Sequence, residues 1–185
     1  PADVVIRRDY FLCTVGDSED ADAEQTTIYK VCLTTGEQLG KTTVTNGYLT
    51  DIAGHPKQAT TYFCVDENSD PDRIDPQRFK VWSLNEESMV AQPTDALGTF
   101  ATVDPLGRYL FTGIHVKLRR GSSLDYSWLQ LMPVRGHVDH LLKYGLINGV
   151  PRYEWQRPAP GLDGAGLLPD PAGRTVCYLA RGGCM

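Results

Sequence analysis

The chain has 185 residues, 41% of them hydrophobic and 22% charged, with a formal charge of −5. That is enough apolar material for one sizeable core and too much for wholesale disorder. The acidic balance argues against a nucleic-acid partner, which needs clustered Lys and Arg, and no apolar run is long enough to cross a bilayer.

The chain opens at Pro1 rather than Met, so a processed protein, a fragment or a trimmed piece is expected. It carries an odd number of cysteines, Cys13, Cys32, Cys64, Cys177 and Cys184. No close pairing and no C-x-x-C is present, so neither a disulfide framework nor a zinc knuckle is supported. Most sit in apolar runs, where Cys behaves as a small core residue. Unpaired thiols favour the cytoplasm.

In chain order, Val4-Val5-Ile6 and Tyr10 to Val15 read as two strands, followed by an acidic loop from Asp17 to Gln25. Thr27 to Leu33 alternates as a strand, Thr34-Thr35-Gly36-Glu37 is turn chemistry, and Lys41 to Thr45 is a more polar strand. The same order then repeats. Leu49 to Ala53, Thr60 to Val65, Phe79 to Leu84 and a weaker strand near Met89-Val90-Ala91 follow one another, with a loop from Asp66 to Gln77. A third round has strands from Thr99, at Tyr109 to Ile114 and at Trp128 to Met132, with a loop from Val116 to Ser127. Arg135 to Gly166 is irregular. It holds a short helical candidate, Val138 to Tyr144, and a competing hairpin, Leu141 to Ile147 against Arg152 to Gln156, turned by Asn148-Gly149.

Equivalent positions recur about every 50 residues, the spacing of propeller blades. No sustained helical stripe competes. The turn Asp104-Pro105-Leu106-Gly107-Arg108 returns as Asp170-Pro171-Ala172-Gly173-Arg174 and, degraded, at His55-Pro56. Its Asp and Arg are read as turn stabilisers. The fold class expected is all-β: a β-propeller of about three and a half four-stranded blades, at roughly 1–46, 47–97, 98–160 and a partial 161–185. Such an incomplete ring exposes sheet edges, so a protein partner or a second copy is expected to complete it.

The Asp104 to Phe111 turn-strand, with Ile28 to Gly36, resembles the repeat of lactonase-type seven-bladed propellers, the 6-phosphogluconolactonase-like and YVTN proteins. Lys80-Val81-Trp82-Ser83-Leu84 is equally similar to a WD40 third strand. The resemblance implies a blade, and it carries no catalytic motif over.

The loops between second and third strands are the long ones, and in a propeller they share a face with the connections between blades. Function is expected there. Asp66, Asn68, Asp70 and Asp72 place oxygen donors at alternate positions, as a Ca2+ loop does, although Pro71 replaces the turn glycine and Gln77 the closing Glu. His137, Asp139 and His140 form the one His-rich spot and are candidates for acid–base work or metal binding. In a strand His137 and Asp139 share a face and His140 points away. No other cofactor is expected, and neither a nucleophile elbow nor a phosphate loop is present. The reading is a binding or scaffold propeller that offers its long-loop face to a protein or ligand. The alternative is a lactonase-like hydrolase or isomerase acting on sugar-derived or cyclic ester substrates.

Overall fold

In the segment Tyr62-Phe63-Cys64-Val65 every side chain is buried, yet neighbours serve different cores. Tyr62 and Cys64 join one apolar cluster, Phe63 and Val65 another. Side chains alternate across a strand, so this run is a central strand covered on both faces, and it sets the plan of the molecule.

The computed structural model describes residues 4–17, 25–45, 47–67, 73–74, 78–117, 123–124, 137–159, 161–172 and 174–180. Blade one consists of β1 (Val4–Ile6), β2 (Tyr10–Asp17), β3 (Gln25–Cys32) and β4 (Gln38–Thr45). Blade two has β5 (Tyr48–Gly54), β6 (Thr60–Asp66), β8 (Phe79–Asn85) and β9 (Val90–Leu97), with the two-residue β7 (Arg73–Ile74) between β6 and β8. Blade three has β10 (Phe100–Val103), β11 (Tyr109–Lys117), β13 (His137–Ile147) and β14 (Val150–Pro158), with β12 (Ser123–Leu124) between β11 and β13. The last sheet is the pair β15 (Leu162–Pro169) and β16 (Val176–Ala180).

Each of the three blades, and the β15–β16 pair, is antiparallel with its strands in sequence order. The first strands β5, β10 and β15 pack beside one another, so they are innermost. Among the described residues, three four-stranded blades and a two-stranded piece arranged this way are a β-propeller whose ring is open.

The blades are joined by apolar faces. Leu12, Ile28 and Val44 of blade one meet Phe63, Val65 and Leu84 of blade two. The other face of blade two, with Tyr62, Cys64 and Val81, meets Leu110, Ile114 and Leu142 of blade three. Phe111 and Leu141, on the opposite face of blade three, meet Leu162 and Leu167.

Blade three departs from the expected reading. Its third strand is β13, and Trp128 to Met132 lies outside the described residues. Val138 to Tyr144 is strand, not helix, and the region expected to be irregular holds β13, the longest strand of the blade, and its partner β14. The reason is two-sided burial: Leu142 and Tyr144 face blade two while Leu141 faces β15, a demand that a helix with one apolar stripe does not meet. The β13–β14 hairpin turns on Asn148 and Gly149, both at positive φ, as the Asn-Gly pair predicts.

Candidate functional site

The meander puts two kinds of connection at opposite ends of the blades. At one end lie the tight turns between first and second and between third and fourth strands. At the other lie the connections 18–24, 67–78 and 118–136 and the passages from blade to blade.

The tight turns are tied across the blades. Arg7, at the first turn, reaches blade two, where its Nη1 donates to the His55 carbonyl at 2.7 Å and its Nη2 to that of Thr60 at 3.1 Å. The same guanidinium holds Glu86 through Nε at 2.9 Å and through Nη2. Glu86 is fully buried and also accepts from Tyr10 and Thr61, each at 2.6 Å. Burial alone would raise its pKa; the hydrogen bonds from Arg7, Thr61 and Tyr10, with the charge of Arg7, outweigh that and hold it below 4.5.

Blade two is tied to blade three by His55. Its Nδ1 accepts from the backbone of Lys57 and Gln58 at 3.1 and 3.0 Å, which leaves Nε2 to donate to the Gly107 carbonyl at 3.0 Å. Burial keeps its pKa below 6.5, partly offset by the bond to Gly107. Arg108 of blade three in turn donates to the Ala172 carbonyl of the last sheet. Asp104 and Asp170 fold their own turns: Asp104 Oδ1 accepts from the Tyr109 amide and Asp170 Oδ1 from the Arg174 amide, both at 2.7 Å.

The long-loop end is organised around Asp139. Its Oδ1 lies 2.7 Å from His115 Nδ1, and its Oδ2 accepts the Gly161 amide at 2.9 Å. Its carbonyl accepts the Ala159 amide at 3.0 Å. One residue therefore fixes the end of β11, the start of β13 and the passage into β15. The stem of the 67–78 loop is closed as well. Arg78 Nη2 donates to Asp66 Oδ2 at 2.9 Å, the Glu67 amide donates to the Arg78 carbonyl at 2.9 Å, and Lys80 meets Glu67 at 2.8 Å. Above these stems β7 pairs with β12 as a short parallel ladder, Arg73 opposite Ser123 and Ile74 opposite Leu124. The loops of blades two and three are thus joined by their backbones.

Of the candidate site residues singled out in the sequence, Asp66, His137, Asp139 and His140 are described, and they fall on this end. His137 is the first residue of β13, opposite Lys117. Asp139 faces β15, while His140 faces the opposite way, opposite Ile114 within the junction of blades two and three. His140 is only 2% exposed, and among the described residues neither ring nitrogen has a hydrogen-bond partner. Burial lowers its pKa below 6.5 against a smaller upward pull from Asp139. Asp66 is held by Arg78; Asn68, Asp70 and Asp72 lie outside the described residues. Among the described residues no three His, Cys, Asp or Glu side chains converge as a metal would need.

Sequence reasoning missed His115 as the partner of Asp139, and it missed Glu86 altogether. Strand parity offered a signal for the first, because two central strands must pair and each carries a polar residue near the same end. Nothing local marks Glu86, which gains its partners from residues up to 79 positions away.

No protein-family model and no curated protein matches this chain. Among solved structures, it is similar to an acylaminoacyl peptidase of Pyrococcus horikoshii (9% identity, TM-score 0.47), with 85% of this chain and 25% of that one covered. It is similar to the hydrazine synthase of Kuenenia stuttgartiensis (11% identity, TM-score 0.48), with 85% and 58% covered. It is also similar to the Dos1 propeller (12% identity, TM-score 0.40), with 78% and 40% covered. The chain spans a minor share to just over half of these proteins, and at such identities the likeness says nothing of chemistry.

Proposed function

We propose that this chain is a propeller scaffold that presents its long-loop face to a protein or ligand partner. The observation that carries the reading is the β7–β12 ladder: loops from two blades pair with each other on stems fixed by Arg78 and Asp139. A surface built from loops on a rigid frame is the common way a fold carries recognition. The open ring adds a second contact. The outer face of blade one leaves Val4 at 48% and Ile6 at 70% exposed, and a neighbouring sheet, from a partner or a second copy, would cover them.

The test is affinity capture with quantitative mass spectrometry, comparing the chain with a variant whose 67–78 loop is replaced by a Gly-Ser linker. A partner lost with the loop while the melting temperature holds supports the reading. Partners retained in full would overturn it. Light scattering on the purified chain reports whether a second copy covers blade one.

The alternative, a lactonase-like hydrolase, draws on one feature, the His115–Asp139 pair at 2.7 Å. Opening of a sugar-acid δ-lactone by the wild type, abolished in Asp139→Asn, would favour it over the scaffold.

A further inference from the structure

The two faces of the β8–β9 corner of blade two are finished differently. Toward blade one the corner is closed. Trp82, Met89 and Ala91 pack into the junction, and Met89 lies so near Gly40 of β4 that a Cβ there would stand 2.8 Å from its Cγ. Toward blade three the same strands present Ser83, Asn85, Gln92 and Thr94, and the junction stays open as a groove of about 570 Å3. Its far wall is the β13–β14 hairpin from Asn148 to Arg152, braced by Tyr62 Oη donating to the Gly149 carbonyl at 2.7 Å. A blade junction is ordinarily sealed by apolar contact, so a polar opening here is a departure from the plan of the fold rather than a consequence of it.

We propose that this groove is a binding site for a short extended peptide segment of a partner protein, distinct from the long-loop face. Its volume lies in the range of ligand sites, roughly 300–1,000 Å3. It follows β9 from Val90 to Asp95, a path of about 17 Å at 3.3 Å per strand residue, which accommodates about five extended residues. Hydroxyl and amide side chains both donate and accept, so they match the alternating N–H and C=O groups of an extended backbone. Among the described residues the side chains of Ser83, Gln92 and Arg152 have no hydrogen-bond partner within the chain, so their capacity is available to a ligand. β9 is also the outer strand of its sheet, where backbone groups await a partner strand. No aromatic ring lines the groove to stack on a sugar, and its one cation, Arg152, shares it with Asp95, which disfavours a phosphate ligand.

The experiment is panning of a phage-displayed library of linear random heptapeptides on the full chain. Synthetic copies of enriched sequences are then titrated by fluorescence anisotropy. Two variants serve as controls: Ser83→Leu, which fills the groove as Trp82 and Ala91 fill the opposite junction, and Arg152→Glu on the exposed wall. Supporting outcomes are a shared enriched motif and at least tenfold weaker binding to both variants at unchanged melting temperature. If Ser83→Leu fails to fold, Arg152→Glu with Gln92→Ala decides alone. No enriched motif, or peptides indifferent to these substitutions, would overturn the proposal, as would binding on a glycan array lost in the same variants. Because the 67–78 replacement leaves the groove intact, peptide binding that survives it separates this site from the long-loop face.

Discussion

The ties of the tight-turn face and the Asp139–His140 pair of the long-loop face treat their polar groups in opposite ways. On the tight-turn face Glu86, Asp104 and His55 are buried, and each has its hydrogen-bonding capacity filled, often by a residue of the next blade. On the long-loop face Asp139 is filled but its neighbour His140, also buried, has neither nitrogen paired among the described residues. Buried polar groups are nearly always satisfied, so the first face is built for stability and the second tolerates a local cost. A fold that accepts such a cost usually does so where something other than stability sets the residue.

The sharpest way to break this comparison is Glu86→Ala. The change strips Arg7, Tyr10 and Thr61 of a common acceptor inside the junction of blades one and two. Removing one partner of a buried ion pair costs about 3–5 kcal/mol. At about 2–4 °C per kcal/mol for a chain of this size, the melting temperature should fall by roughly 10 °C. The pH dependence has a definite sign. The carboxyl of Glu86 lies below 4.5 in the fold, so its contribution is complete above that pH and is lost as pH falls through the depressed value. Wild type and variant should therefore converge in stability under acid conditions. A gap that persisted to low pH would mean the network stabilises through packing rather than charge.

Gly107→Ala tests the next tie. Gly107 has φ +71°, and a Cβ there would collide with the His55 ring. The left-handed conformation and the displaced ring together should cost about 2–3 kcal/mol. The histidine gives a readout that a loss of stability alone would not move. Displaced from its site, His55 loses the dominant depression by burial together with the smaller upward pull of the Gly107 bond, so by NMR it should titrate closer to 6.5, upward from its depressed folded value.

How much of this was legible in the sequence follows from the range of each interaction. Strand alternation and the Asp104 and Asp170 turns are local, so β2, β3, β6 and the Asn148-Gly149 hairpin could be placed from pattern and turn chemistry alone. Blade three was misjudged because β13 is buried on both faces, and a continuous apolar run such as Leu141-Leu142 carries no period to separate strand from helix. His140 was visible as a candidate, but its isolation was not, since that depends on Ile114 across the sheet and on blade two beyond it. The groove beside Ser83 was invisible for the same reason. It exists only because two blades diverge there.

His140→Leu approaches the comparison from the other face. Replacing an unpaired buried imidazole by an apolar side chain of similar size should leave the fold unharmed or raise its stability by about 1 kcal/mol. The wild type should lose stability as pH drops below 6.5, because the unfolded chain then binds a proton that buried His140 refuses. The variant should lose only the share of that slope due to His140 and keep the share due to His55, whose pKa is depressed as well. Thermal melts between pH 7 and pH 5 measure both effects. A variant less stable than wild type at pH 7 would show that His140 has a partner in the fold, and the contrast between the faces would weaken.

The smallest effect is expected from Ile74→Pro, which removes a backbone donor from the β7–β12 ladder. This ladder joins two residues to two by backbone pairing. It should therefore contribute at most about 0.5 kcal/mol, and the melting temperature should move by only about 1–2 °C. The local consequence should be larger than the global one: amide exchange at Ser123 and Leu124 should accelerate while exchange in β6 and β11 is unchanged. That pattern is what separates a presenting surface from a brace, since a loop pairing that shapes a face need not hold the blades. A fall of 5 °C or more would place the ladder among the ties that hold blade two to blade three, and the long-loop face would then be a second brace.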